Sequence, residues 1–294
     1  MSEWKGASKG SLLGYKIFVF FIHNIGLRFS YFILFFVALY YFLFSWSSSK
    51  SIYYYLRKRQ GFSVIKSIIG IYRSYYVFGQ TLIDRMLISS GKKNRFTYEF
   101  DGIEKIKGVI NKGDGAVLIS AHVGNFEISE YFLEDLDENL ITNIVTTDLE
   151  RKKIKDYLEK LSVESRMKYI LIKEDMSHIY QFNEALSKNE FICITGDRYL
   201  PGSKYLEAEF LGEKARFPAG PFMIGSRLKV PVVFVYVMKE SATHYHLYAR
   251  VVDVKHRDSK GLLDSYVKSI TSIVDKYPYQ WFNYFHFWNK PNDE

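Results

Sequence analysis

The hydrophobic pattern changes character near residue 96. Before it, apolar residues come in blocks. One covers 12–25 and is interrupted by Lys16, His23 and Asn24; the next, FSYFILFFVALYYFLFSW over 29–46, runs 18 residues without a charge. That length is at the lower bound for crossing hydrocarbon, where about 20 residues are typical. No small-x-small cleavage site follows, so the block reads as a retained anchor, either one tilted span or an interfacial helical pair. Over 62–87, Val64, Ile65, Ile68, Ile69, Tyr72, Tyr76 and Leu82 recur close to the helical period. They predict a long helix whose Lys66, Arg73 and Arg85 face lipid headgroups or water.

Beyond the basic turn Gly91 to Arg95, short β-rich runs alternate with helical patterns. Strands are expected over 97–100, 116–120, 143–146, 169–172, 191–194, 232–237 and 246–252. Helices are expected over 103–110, 126–133, 150–162, 176–186, 218–228 and 262–277. This alternation predicts an α/β fold, a layered, largely parallel sheet with helices on both faces, preceded by the N-terminal hydrophobic segment. Sites in such folds lie at the carboxyl ends of strands.

Charge sharpens the division. Residues 1–96 hold 14 Lys and Arg against Glu3 and Asp84, a balance of 14 − 2 = +12, while the rest hold 26 against 30, or −4. The basic groups flank the most hydrophobic part of the chain, the distribution of a membrane-surface protein rather than of a nucleic-acid binder. The single cysteine, Cys193, lies in an apolar run and reads as a packing residue; it excludes a disulfide framework and points to a reducing, cytoplasm-facing compartment. His244 and His246 lack a convincing third ligand, so no metal site is expected.

The candidate chemistry centres on 116–127, AVLISAHVGNFE. A strand delivers His122 to a bend at Gly124-Asn125, and Asn125 is placed to cap the next helix, with Glu127 in its first turn. On one continuous helix the two would lie about 140° apart, so they meet only if the backbone breaks, which Gly124 permits. A histidine backed by a carboxylate is half of an acid/base machine; on the pattern alone, His122 is either that or a loop histidine. After the strand over 191–194, Gly196 allows a sharp exit into Asp197-Arg198, where Arg198 suits a phosphate or carboxylate, or pairs with Asp197 to close the loop. Phe217-Pro218-Ala219-Gly220-Pro221 opens a helix whose first N–H groups, near Gly220, are able to face an anion.

These blocks in this order, with the strand Val230 to Val235, resemble the glycerolipid acyltransferases. Their surroundings are more similar to the bacterial lipid A late acyltransferases, the lauroyl and myristoyl transferases. The similarity is carried by His122-Val-Gly-Asn-Phe-Glu127, Phe210-Leu-Gly-x4-Phe217-Pro and Tyr277-Pro-x-Gln280-Trp-Phe-x2-Phe-His286. It implies a membrane anchor over 1–60, an acyltransferase domain over 61–294, and an acyl chain moved from an acyl carrier protein or coenzyme A thioester to a hydroxyl or amine of a membrane lipid. No cofactor beyond that thioester is implied, and the location implied is the bacterial inner membrane with the catalytic part facing the cytoplasm. His122 would be the general base and Glu127 its partner. Asn125, Asp197, Arg198, Phe217 and Gly220 would be substrate-binding positions. Ala219 and Phe234 stand where the glycerol-phosphate branch has Glu and often Pro, which points away from glycerol phosphate as acceptor. A non-catalytic lipid-binding protein of the same fold and an acyl-thioester hydrolase are the alternatives. The aromatic tail over 277–288 reads as packing.

Overall fold

Helix α1, Leu27–Phe44, is divided lengthwise. Leu27, Tyr31, Leu34 and Ala38, spaced four, three and four apart, form one stripe and are buried. Phe32, Phe36, Tyr40, Leu43 and Phe44 on the other side are exposed. In this computed structural model the described residues are 26–146, 167–172, 175, 177–199 and 202–288, so the apolar block over 12–25 and the helix expected over 150–162 lie outside them. Helix α2, Trp46–Tyr54, continues into a π-helical turn, Tyr55–Arg59. Helix α3, Val64–Ser89, is capped by the Ser63 hydroxyl, which accepts from the Lys66 N–H at 3.3 Å.

Seven strands form one sheet: β1 Thr97–Asp101, β2 Ala116–Ser120, β3 Thr142–Thr146, β4 Met167–Leu171, β5 Phe191–Thr195, β8 Val232–Lys239 and β9 His244–Val252. Their order is β1-β9-β8-β2-β5-β3-β4. The five from β8 to β4 are mutually parallel; β9 runs antiparallel to β8 and parallel to β1. All seven coincide with expected strands. Helix α4, Ile103–Lys112, lies between β1 and β2; α6, His178–Ser187, precedes β5; α7, Ala219–Arg227, and α8, Ser259–Lys276, bracket the β8-β9 pair in sequence.

Alternation along the strands divides the core. Val117, Ile119, Ile194 and Phe234 pack with Phe222 of α7 and Leu262, Tyr266 and Ile270 of α8. Ala116, Leu118, Cys193 and Val233 pack with Ile106 and Val109 of α4. A third cluster joins Tyr31 and Leu34 of α1 and Ile83 and Leu87 of α3 to Tyr245 and Leu247 of β9. Cys193 is buried, and burial pushes its thiol up to about 12.

Two expectations change. The helix over 126–133 is a 3₁₀ turn, Phe126–Ile128, followed by the short α5, Ser129–Leu133; Asn125 precedes it but makes no side-chain cap. The stretch before Pro218 holds an unexpected antiparallel hairpin, β6 Tyr205–Phe210 and β7 Glu213–Pro218. Its two-residue turn, Leu211-Gly212, has φ of 51° and 78°, the two positive values of a type I′ turn.

Candidate active site

Parallel strands β2 and β5 are neighbours in a register that sets Ser120 opposite Thr195. Two residues past each lie His122 and Asp197, which the register therefore brings side by side at the carboxyl edge of the sheet. Gly196 N–H donates to the Ser120 carbonyl at 2.8 Å, extending the pairing by one step. Gly196 is needed for room rather than for its conformation, because a Cβ there would stand 3.0 Å from both Ile119 and Tyr266.

Asp197 grips its neighbour twice. One carboxylate oxygen meets His122 Nδ1 at 2.7 Å, and the other accepts the His122 main-chain N–H at 3.0 Å. Trp281 Nε1–H donates to that second oxygen at 3.3 Å. The Asp197 side chain is fully buried while that of His122 is 16% exposed, so the imidazole alone of the two reaches the surface. Burial works against ionisation of Asp197, but the adjacent imidazole, its hydrogen bonds and Arg198 outweigh it and hold the carboxyl below the usual range.

The loop carrying His122 is fixed through its main chain. Phe282 N–H donates to the His122 carbonyl at 2.9 Å, Gly124 N–H to the Gln280 carbonyl at 2.9 Å, and Asn125 N–H to the Val237 carbonyl at 2.7 Å. Val123 and Trp281 form an antiparallel bridge. Gly124 has φ +53°, and a Cβ there would lie 2.1 Å from the Val237 carbonyl oxygen, so only glycine fits the bend. Gln280 is held in turn by β8: its side chain accepts from Lys239 N–H at 2.9 Å and donates to the Lys239 carbonyl at 2.6 Å.

The other sequence-derived positions separate. Asn125 turns inward, donating from Nδ2 to the Thr81 carbonyl of α3 at 2.9 Å, a structural contact rather than a substrate-facing one. Asp197 is likewise no surface contact, since both its oxygens are spent on protein donors. Arg198 is half-buried beside the pair and donates from Nη2 to the Phe282 carbonyl at 2.5 Å. Phe217 is sealed in the core among Phe210, Tyr266 and Phe287. Gly220 is exposed at the start of α7, whose cap is Pro218, with the Ala219 N–H taken by the Lys204 carbonyl. Glu127 falls in the 3₁₀ turn; its side chain lies outside the described part.

Trp281 and Gln280 lie in the tail that reads as packing in the sequence, yet they adjoin the imidazole's support. The signal was Gln-Trp four residues past the end of α8, in a tail otherwise rich in ring residues.

Chemically, an imidazole that donates Nδ1–H to a buried carboxylate keeps its lone pair on Nε2 and gains stabilisation when it becomes imidazolium. That is the equipment for taking a proton from a hydroxyl. Among the described residues no group of three or more His, Cys, Asp or Glu is arranged to hold a metal ion.

The sequence model of the bacterial lipid A biosynthesis acyltransferases matches residues 70–290. No curated protein matches the chain.

Proposed function

The chain belongs to the bacterial lipid A biosynthesis acyltransferases, and on that premise we propose that it moves a fatty acyl chain from an acyl carrier protein or coenzyme A thioester to a hydroxyl or amine of a membrane lipid. His122 is the general base. It takes the acceptor proton as the acceptor atom attacks the thioester carbonyl. The tetrahedral intermediate then expels the thiolate, which receives that proton from the imidazolium, leaving an ester or amide and a free thiol.

The observation that carries this reading is the His122–Asp197 contact at 2.7 Å, with the imidazole accessible and the carboxylate buried behind it. Glu127 is the second acid that the spacing assigns to the same imidazole. Direct attack without an acyl-enzyme is favoured because Cys193, the one cysteine, is buried with its thiol pushed up to about 12.

The membrane part of the proposal rests on α1, which is long and apolar enough to cross a bilayer and exposes aromatic residues along one side. With the basic excess of residues 1–96 it supports an anchor over 1–60, at the inner membrane with the catalytic part facing the cytoplasm, where acyl thioesters are made.

The test is radiolabelled palmitoyl thioester incubated with the membrane-bound protein and a lipid extract, for wild type and His122→Ala. Label should enter lipid with wild type and fall by about 10²- to 10⁴-fold in the variant. Equal incorporation by both would overturn the general base. Release of free fatty acid without lipid would replace the transferase by a hydrolase, and wild type that binds lipid without turnover would leave a binding protein.

A further inference from the structure

Helix α3 turns its large apolar side chains outward over its first turns. Ile65 and Ile69 are 73% and 56% exposed, with Val64 and Ile68 exposed beside them, while Ser67, Gly70 and Ser74 are buried. At about 100° per residue, positions 65, 68, 69 and 72 share one stripe and 67, 70 and 74 the opposite one. The small residues are where packing needs them, since a Cβ on Gly70 would stand 2.5 Å from Leu56 and 2.9 Å from Tyr279. A helix facing water would carry polar residues on its outer stripe, and this one carries isoleucine.

The stripe runs on into the exposed side of α1. The two helices are antiparallel: Tyr76 donates its hydroxyl to the Tyr31 carbonyl at 3.4 Å and Tyr72 to the Phe35 carbonyl at 3.3 Å. The Tyr72 ring, at the end of the stripe, lies 5.6 Å from Phe35 and 6.4 Å from Phe42. The start of α3 therefore lies toward the end of α1, where Tyr40, Leu43, Phe44 and the following Trp46 are exposed. Charge narrows what can cover this surface. Residues 4–83 contain no Asp or Glu, and Lys58, Lys66 and Arg73 are exposed. Lys66 and Arg73, seven apart, fall on one border of the stripe, over the rings of Phe62 at 3.6 Å and Tyr279 at 4.7 Å. A second copy of the chain would set the same uncompensated cations against one another. A lipid surface offers hydrocarbon to the stripe and phosphate to its border.

We infer that the first turns of α3, residues 64–72, lie in the bilayer surface as a second membrane contact beyond the anchor over 1–60, with Lys66 and Arg73 at lipid phosphates. This rests on the membrane seat proposed above and adds a helix that belongs to the catalytic part. The same helix supports the active-site loop further along: Asn125 donates to the Thr81 carbonyl, and Phe282, whose N–H holds the His122 carbonyl, packs on Phe78. Ile69 and Phe78 are nine residues apart, about 13 Å along the axis at 1.5 Å per residue. One continuous helix thus sets how far the His122 loop stands from the lipid it works on.

The test places a polarity-sensitive fluorophore on single cysteines introduced into the full chain. Cys193 is buried, so the label goes to the introduced thiol. Ile65→Cys and Ile69→Cys probe α3, each backing the other should one fail to fold; Phe36→Cys probes α1, and Lys107→Cys, on the exposed side of α4, reports a surface away from lipid. Each protein is reconstituted into vesicles of phosphatidylethanolamine and phosphatidylglycerol, with and without bromine on the acyl chains. Labels at 36, 65 and 69 should emit at shorter wavelength than in water and lose most of their emission to the brominated lipid, while the label at 107 should keep its own. Quenching at 36 but not at 65 or 69 would overturn the α3 contact and leave the anchor standing. A shift to shorter wavelength at 65 and 69 without quenching would overturn it too, because protein, either a second copy or residues 1–25, would then cover the stripe. Quenching at 107 as well would overturn it as a specific contact. Quenching at none of the four would remove the membrane seat itself.

Discussion

Asp197 holds His122 by ring and main chain together, at 2.7 Å on Nδ1 and 3.0 Å on the peptide N–H. One carboxylate thus sets both where the loop lies and which ring nitrogen keeps the proton. Asp197→Asn should preserve the shape and lose the charge that stabilises the imidazolium, lowering kcat by about 10²- to 10⁴-fold with little change in KM. Steady-state acyl transfer checks it. A loss confined to KM would remove Asp197 from the acid/base pair.

The same carboxylate links stability to pH. Its pKa is depressed in the folded protein, so its contribution is fully present above the unfolded value of about 4 and is lost as pH falls through the folded value. The gap in melting temperature between wild type and Asp197→Asn should shrink as pH falls from about 5 into stronger acid, where the carboxylate is lost. Thermal melts across that range test the sign; a gap that widens in acid would contradict it.

Beneath the loop, Lys239 Nζ meets Asp84 at 2.5 Å, and both side chains are buried; the hydroxyls of Tyr31 and Tyr245 also donate to Asp84. Lys239→Met should destabilise by about 3–5 kcal/mol, because it strands a buried carboxylate. Adding Asp84→Leu should recover a large share of that loss, which chemical denaturation of the single and double variants would measure. Tyr245 also accepts from Asn125 at 3.4 Å, so the single variant should slow acyl transfer as well.

The exposed side of α1 supplies a fourth expectation. Phe36→Glu with Leu43→Glu places two charges where the helix presents apolar surface, 53% and 49% exposed in the native protein. Protein should shift from the membrane to the supernatant on alkaline extraction, while Tyr31→Phe, on the packed side, should leave the partition unchanged.

How far the chain announced all this depended on the distance over which the information acts. Strands such as 116–120 and 191–195 are apolar runs bounded by turn residues, and their existence is local. That β2 lies beside β5, and so that His122 meets Asp197 across 75 residues, is a property of sheet order that no local pattern carries. Glu127, five residues along, was the acid that spacing alone brought to notice. The hairpin escaped because Glu207 and Glu209 interrupt β6 and its turn is Leu211-Gly212, with a leucine where Asn or Asp usually signals positive φ. Its buried Ala208, Phe210, Ala215 and Phe217 do alternate, which is the sign that was there to be found. The Asn125 cap was a fair local inference that a tertiary partner, the Thr81 carbonyl, displaced.

The in-register pair Ser120 and Thr195 has a consequence for how such a chain is able to diverge. His122 and Asp197 are both counted from the last rung of adjoining strands, so the loops between the elements that join them can grow, shrink or change sequence without altering their separation. Variation can therefore accumulate in those loops, while the imidazole and its carboxylate stay where the ladder put them.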